Sequence, residues 1–119
     1  MNIRELQTIA HANAVEKGWW DGYPRGENGA LVLTADQVLA KLALAHSELS
    51  EAAECVRDRD MGLRRGEGGK PEGFPVEIAD AVIRLLDLCG ALGVDLEAAM
   101  LAKHSYNQTR SRRHGGKAA

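Results

Sequence analysis

Two pairs of acidic residues in this 119-residue chain have the types and the spacing to act together. Glu48 and Glu51 stand three residues apart, as do Glu77 and Asp80, and each pair falls in a stretch of helical periodicity, where an i, i+3 spacing puts both carboxylates on one face. Carboxylates gathered at one place repel and lose hydration, a state that becomes favourable when a divalent cation sits between them. Hard oxygen donors without a thiolate select Mg²⁺, with Mn²⁺ as the alternative. Divalent-metal chemistry is therefore the first expectation.

The bland alternative is that these acids are solvated stripes. The only charged residues of the third apolar stretch are Glu77, Asp80, Arg84 and Asp87, which lie within about 80° of one another on a helix. They would form one wet face with Arg84 paired to Asp80 or Asp87. Repetition of the ExxE spacing on the preceding helix favours a constellation over two separate stripes. Glu54 lies one further turn along and is a candidate to join it. Other metal chemistries lack their signatures: neither pair has the ExxH form of di-iron bundles, and His11, His46, His104 and His114 have no HxxxH spacing. The Gly69-Lys70 dipeptide is followed by Pro71 instead of Ser or Thr, so it is no P-loop.

Helices must position these acids. Apolar spacing predicts a first helix from Ile3 to about Glu16, stopped at Gly18. The segment WWDGYPRGENGALVLT reads as a long loop. Thr34 and Gln37 form a capping box that opens a second helix running to about Asp60. MGLRRGEGGKPEG, rich in glycine and charge, reads as a mobile loop. A third helix starts at Pro75 and ends at Gly90 and Gly93, and Asp95 caps a fourth, LEAAMLAKHSYNQTR. No stretch alternates with period two. The expectation is an all-α four-helix bundle over residues 1–110, followed by a basic tail at 111–119. The third helix is apolar around most of its circumference, which one small bundle can hardly bury, so a homo-oligomer, dimer or tetramer, is expected.

Composition agrees with a globular protein: 45% apolar and 27% charged residues. No stretch approaches a membrane span or a signal peptide, and Cys55 and Cys89 fit neither a disulfide framework nor a CxxC motif, so a cytoplasmic protein without a membrane partner is expected. The net charge of −2 is unevenly placed, since five cations and no acid follow Glu97. The basic end suits phosphates or nucleic acid, whereas the acidic body suits cations and argues against nucleic acid.

Taken in order, Glu48-Leu-Ser-Glu51, a variable spacer, then Glu77-Ile-Ala-Asp80 resembles the signature of the MazG-like all-α nucleoside triphosphate pyrophosphohydrolases. HSELSEAAE, EIADAVIRLLDL and the ending KHSYNQTRSRRHGGK are similar to this family's small members, over about residues 1 to 117. The resemblance implies Mg²⁺-dependent cleavage of a nucleoside triphosphate to monophosphate and pyrophosphate. Glu48, Glu51, Glu77 and Asp80 would hold the metal, with Glu48 or Glu51 orienting the water. It also implies a phosphate-binding role for Lys103 and Asn107, extended by Arg110, with His114 and Lys117 closing over the triphosphate. Trp19 and Trp20 are candidates to stack on the base. Many members carry Glu directly before the first motif Glu, where this chain has Ser47, so one ion or more remain open. The competing reading is a nucleotide-sensing or nucleic-acid- or protein-binding module without catalysis, carried by the basic tail and the association-prone third helix.

Overall fold

A computed structural model of the chain describes residues 1–118; Ala119, the end of the expected tail, lies outside the described residues. The helices are α1 (Ile3–Glu16), α2 (Ala35–Arg57), α3 (Phe74–Leu92), α4 (Leu96–Thr109) and a single turn α5 (Arg113–Gly116). The structure is thus mostly helical. Between α2 and α3 lies an antiparallel pair, β1 (Arg64–Arg65) and β2 (Pro71–Glu72), in register Arg64 with Glu72 and Arg65 with Pro71. This small hairpin corrects the expectation of no sheet. Two-residue strands are too short to show period two, and charge dominates the segment.

Capping sets the helix starts. Asn2 accepts from the Glu5 amide, Thr34 and Gln37 form the reciprocal box, and Asp95 accepts from the Ala98 amide, each satisfying donors that a helix N-terminus leaves free. The third helix stops at Gly93 in the left-handed region (φ 68°), and Gly90 lies inside it. A Cβ on Gly90 would sit 2.6 Å from the Cβ of His11, so this glycine is where α1 and α3 make close approach and not a stop.

Both α1 and α2 pack on α3. Small residues govern the second contact: Ala45 and Ala52 of α2 and Ala81 of α3 are all buried. Glu48 lies at i+3 from Ala45 and at i−4 from Ala52, so it shares their inward face; Glu77 stands one turn before Ala81 in the same way. Alanine contacts let two helices approach closely, and the acids beside them are brought together across the gap. Leu86, 1% exposed, fills the centre of α3.

The loop after α1 is part of the core. Trp20 is 2% exposed and clusters with Ala14, Leu88 and Ala91, with Tyr23, Leu31, Leu33 and Val38 packed around it. An isolated bridge between Arg25 and Leu31 folds the loop back on itself.

By contrast, α4 has no buried residue. It is held at its start, where Arg4 of α1 pairs with Asp95 at 3.0 Å and Glu97 at 2.8 Å, and then leaves the bundle. The radius of gyration is 17.1 Å, against about 13 to 14 Å for a compact chain of this length. No helix among the described residues is long and apolar enough to cross a membrane.

Candidate functional site

Glu48 of α2 and Glu77 and Asp80 of α3 each present a carboxylate oxygen within 4.8 Å of the others. All three are partly buried, which removes some of the water that would otherwise separate like charges. The carboxyl of Glu77 is pushed above the ordinary carboxylate range, first by burial and then by the charges of Asp80 and Glu48, a hydrogen-bonding interaction with Glu48 and the charge of Glu51. Asp80 is raised as well, by burial and by Glu48, with Arg84 and Lys70 opposing the rise.

A cavity of about 430 Å³ runs over these acids and is lined by Ser47, Glu51, Cys55, Arg64 and Lys70, among others. Glu51 is exposed and outside the close triad, yet it shares the cavity wall with Glu48, Glu77 and Asp80. Ser47 turns its hydroxyl back to the Leu44 carbonyl at 2.5 Å, a short range suited to an O–H donor. Burial raises the Cys55 thiol above its ordinary range, helped by the charges of Asp60, Glu77 and Asp58. It stays neutral beside the acids.

A second cavity, of about 400 Å³, opens on the other side of Glu48 and Asp80, which line both. Its wall comes from three helices and the loop after α1: Asn13, Trp19, Trp20, Lys41, Arg84 and Asp87 supply its polar and aromatic groups. Trp20 belongs mainly to the core, with edge contacts to His11 and Tyr23 and the Lys41 ammonium 4.4 Å from its ring centroid. Trp19, 71% exposed, presents its indole to the opening.

Arg84 bonds neither Asp80 nor Asp87. It crosses to α2 and donates Nε–H to Glu48 Oε1 at 2.9 Å. Asp87 instead accepts from Trp20 Nε1 at 3.0 Å and pairs with His11 Nδ1 at 2.7 Å, joining α1, α3 and the loop. A one-dimensional spacing cannot say which neighbouring helix an arginine reaches, and the intrahelical pairing that belongs to the solvated-stripe alternative is not formed.

The residues expected at the phosphates lie elsewhere within a single chain. Lys103, Asn107 and Arg110 line neither cavity; Lys103 and Arg110 both pack against the ring of Tyr106, 5.0 and 5.7 Å from its centroid. His114, with a left-handed backbone (φ 49°), and Lys117 also line neither cavity. Glu54 pairs with Arg57 on the exposed side of α2. The cations that line the cavities are Lys41 and Arg84 in one and Arg64 and Lys70 in the other; of these, sequence spacing placed only Arg84 beside the acids, and with a different partner. Comparison with protein-family models, with curated proteins and with solved structures returned no match.

Proposed function

We propose that the chain is a Mg²⁺-dependent nucleoside triphosphate pyrophosphohydrolase, converting a (d)NTP and water to the monophosphate and pyrophosphate. The observation that carries this reading is the sharing of Glu48 and Asp80 by two cavities: an acidic one, and one of about 400 Å³ lined by the exposed Trp19. The donor set fits magnesium, since Glu48, Glu77 and Asp80 offer hard oxygens at close range, and burial makes their unrelieved repulsion costly. Manganese fits the same set. When bound, such an ion polarises phosphate oxygens and acidifies water.

The chain's own residues then have separate tasks. Glu51, on the wall but outside the triad, is placed to accept the proton of the attacking water, with Glu48 the alternative base. Water's oxygen bonds the α-phosphorus while the α–β bridge breaks, and pyrophosphate carries away the bridging oxygen. Trp19 would cover the base, and Lys41, whose ammonium lies 4.4 Å from the Trp20 ring centroid, lines the same cavity.

Association into a dimer or tetramer is part of the same proposal. Leu42, Leu49 and Val56 of α2 recur every seven residues on one exposed stripe, and Ile78, Val82, Leu85 and Leu92 form another on α3. A second copy would cover these stripes and offer its own α4, with Lys103, Asn107 and Arg110, to the first copy's phosphates. Pyrophosphate release measured with Mg²⁺ over a panel of NTPs and dNTPs tests the function; no turnover of any of them overturns it.

A further inference from the structure

We propose that Lys70, held at the turn of the β1–β2 hairpin, is a substrate-binding residue that contacts the polyphosphate chain from the hairpin wall of the acid cavity. This deepens the hydrolase reading and rests on it.

The hairpin is built to hold one position. Arg64 donates to both oxygens of Asp60, Nε to Oδ1 at 3.0 Å and Nη2 to Oδ2 at 2.8 Å, and to Glu72 Oε2 at 2.6 Å. One guanidinium thereby ties the start of the hairpin to its end and both to the chain leaving α2. At the turn, the Gly66 amide bonds the Lys70 carbonyl at 2.7 Å, and Gly68 and Gly69 take the left-handed backbone (φ 67° and 79°) that the reversal requires. The Glu72 carboxylate lies over Gly66 so closely that a Cβ there would collide with it. Such mutual bracing fixes the backbone of Lys70.

Of the two cations that line the acid cavity, Lys70 is the one whose charge is not engaged by a carboxylate among the described residues. Arg64 is paired with Asp60 and Glu72, and Arg84 with Glu48. Lys70 lines the acid cavity with Glu48, Glu51, Glu77 and Asp80, and among the described residues it makes no ion pair. Its charge already acts on Asp80. A triphosphate carries more negative charge than a divalent ion neutralises, and an ammonium on a rigid turn offers a mobile point charge for a non-bridging oxygen. Lys103, the lysine that the family resemblance implies, does not line this cavity in its own chain.

The test compares the full-length protein with Lys70→Ala, Lys70→Met and Lys70→Arg. Lys70 is exposed, so the fold should be retained, with circular dichroism as the check. Two readouts are taken: steady-state hydrolysis of the best nucleotide, and calorimetric binding of inorganic tripolyphosphate with Mg²⁺. Loss of one charge-assisted contact should weaken tripolyphosphate binding and raise KM by about 10- to 100-fold in the Ala and Met variants, with Arg restoring most of the binding. Unchanged binding and unchanged KM in Lys70→Ala overturn the inference while leaving the hydrolase reading intact. Wild-type binding of tripolyphosphate that Lys70→Ala weakens, without turnover of any nucleotide, overturns the hydrolase reading and supports the Lys70 contact. Wild-type protein that neither binds nor hydrolyses overturns both.

Discussion

Arg84 of α3 reaches across to α2 and holds Glu48, the one acid of the triad that comes from the other helix. In the absence of metal this guanidinium supplies the positive charge that Glu48 needs beside Glu77 and Asp80. It also competes with any cation for the same oxygen. Arg84→Met is therefore expected to lower the thermal midpoint of the metal-free protein and to enlarge the rise in midpoint produced by Mg²⁺. A thermal-shift titration with and without EDTA checks both signs, and a smaller Mg²⁺ response in the variant would contradict the competition.

On the proposed reading, Glu77→Gln and Asp80→Asn each remove a metal ligand while keeping shape. Turnover should fall by at least about a hundredfold in either, as expected when a ligand of the metal that does the chemistry is lost. Helicity should persist, and the metal-free variants should be more heat-stable than wild type, because each removes a charge from a repelling group. Retained activity in one variant would take that residue out of the metal set.

The raised carboxyls of Glu77 and Asp80 give the metal-free protein a definite pH response. A carboxyl whose folded pKa exceeds its unfolded value binds more protons when folded, so stability falls as pH rises from the ordinary carboxylate range through the raised value. Asp60, lowered chiefly by its Arg64 hydrogen bond, and Asp95, lowered by the Ala98 amide and then Arg4, work oppositely: their stabilisation is lost as pH falls through their depressed values. Wild type and Glu77→Gln/Asp80→Asn should therefore differ more at about pH 7 than at about pH 4. Mg²⁺ should narrow the difference at the higher pH. Melting curves at both pH values in EDTA and in Mg²⁺ measure it.

Gly90→Ala should be destabilising although it replaces glycine inside a helix, where propensity alone favours alanine by about 1 kcal/mol. The new methyl would meet His11 at 2.6 Å and push α1 from α3. Overpacking of this kind costs about 1–3 kcal/mol, and the shift would disturb the His11–Asp87–Trp20 contacts. Urea denaturation followed by circular dichroism gives the value, and a gain in stability would show that α1 yields at no cost.

Self-association should be visible directly. With Leu49 51% and Leu101 60% exposed in one chain, sedimentation should give a dimer or larger species at micromolar concentration. Leu49→Glu should shift it toward monomer. A wild-type monomer would leave the exposed stripes without the proposed partner.

Much of the fold was legible because its helices announce themselves locally. Thr34 with Gln37, Asp95 and the periodic apolar positions act within a turn or two of the chain, and the helices begin and end within a few residues of where those signals put them. The hairpin at 64–72 was hidden, because its stability comes from Arg64 meeting Asp60 and Glu72, partners chosen by a fold-back and not by periodicity.

The candidate site divides the same way. Sequence alone determined that Glu48 and Glu51 share one helix face and Glu77 and Asp80 another, because helical geometry fixes i, i+3 neighbours wherever the helix lies. It could not decide which of the four meet, and tertiary packing settled that: buried Ala45, Ala52 and Ala81 bring Glu48 to Glu77 and Asp80, while Glu51 stays on the wall. It likewise could not choose the cations. Arg84 went to the opposite helix, Lys70 came in on a turn and Lys103 stayed away on α4, since long side chains take partners that only the three-dimensional arrangement supplies.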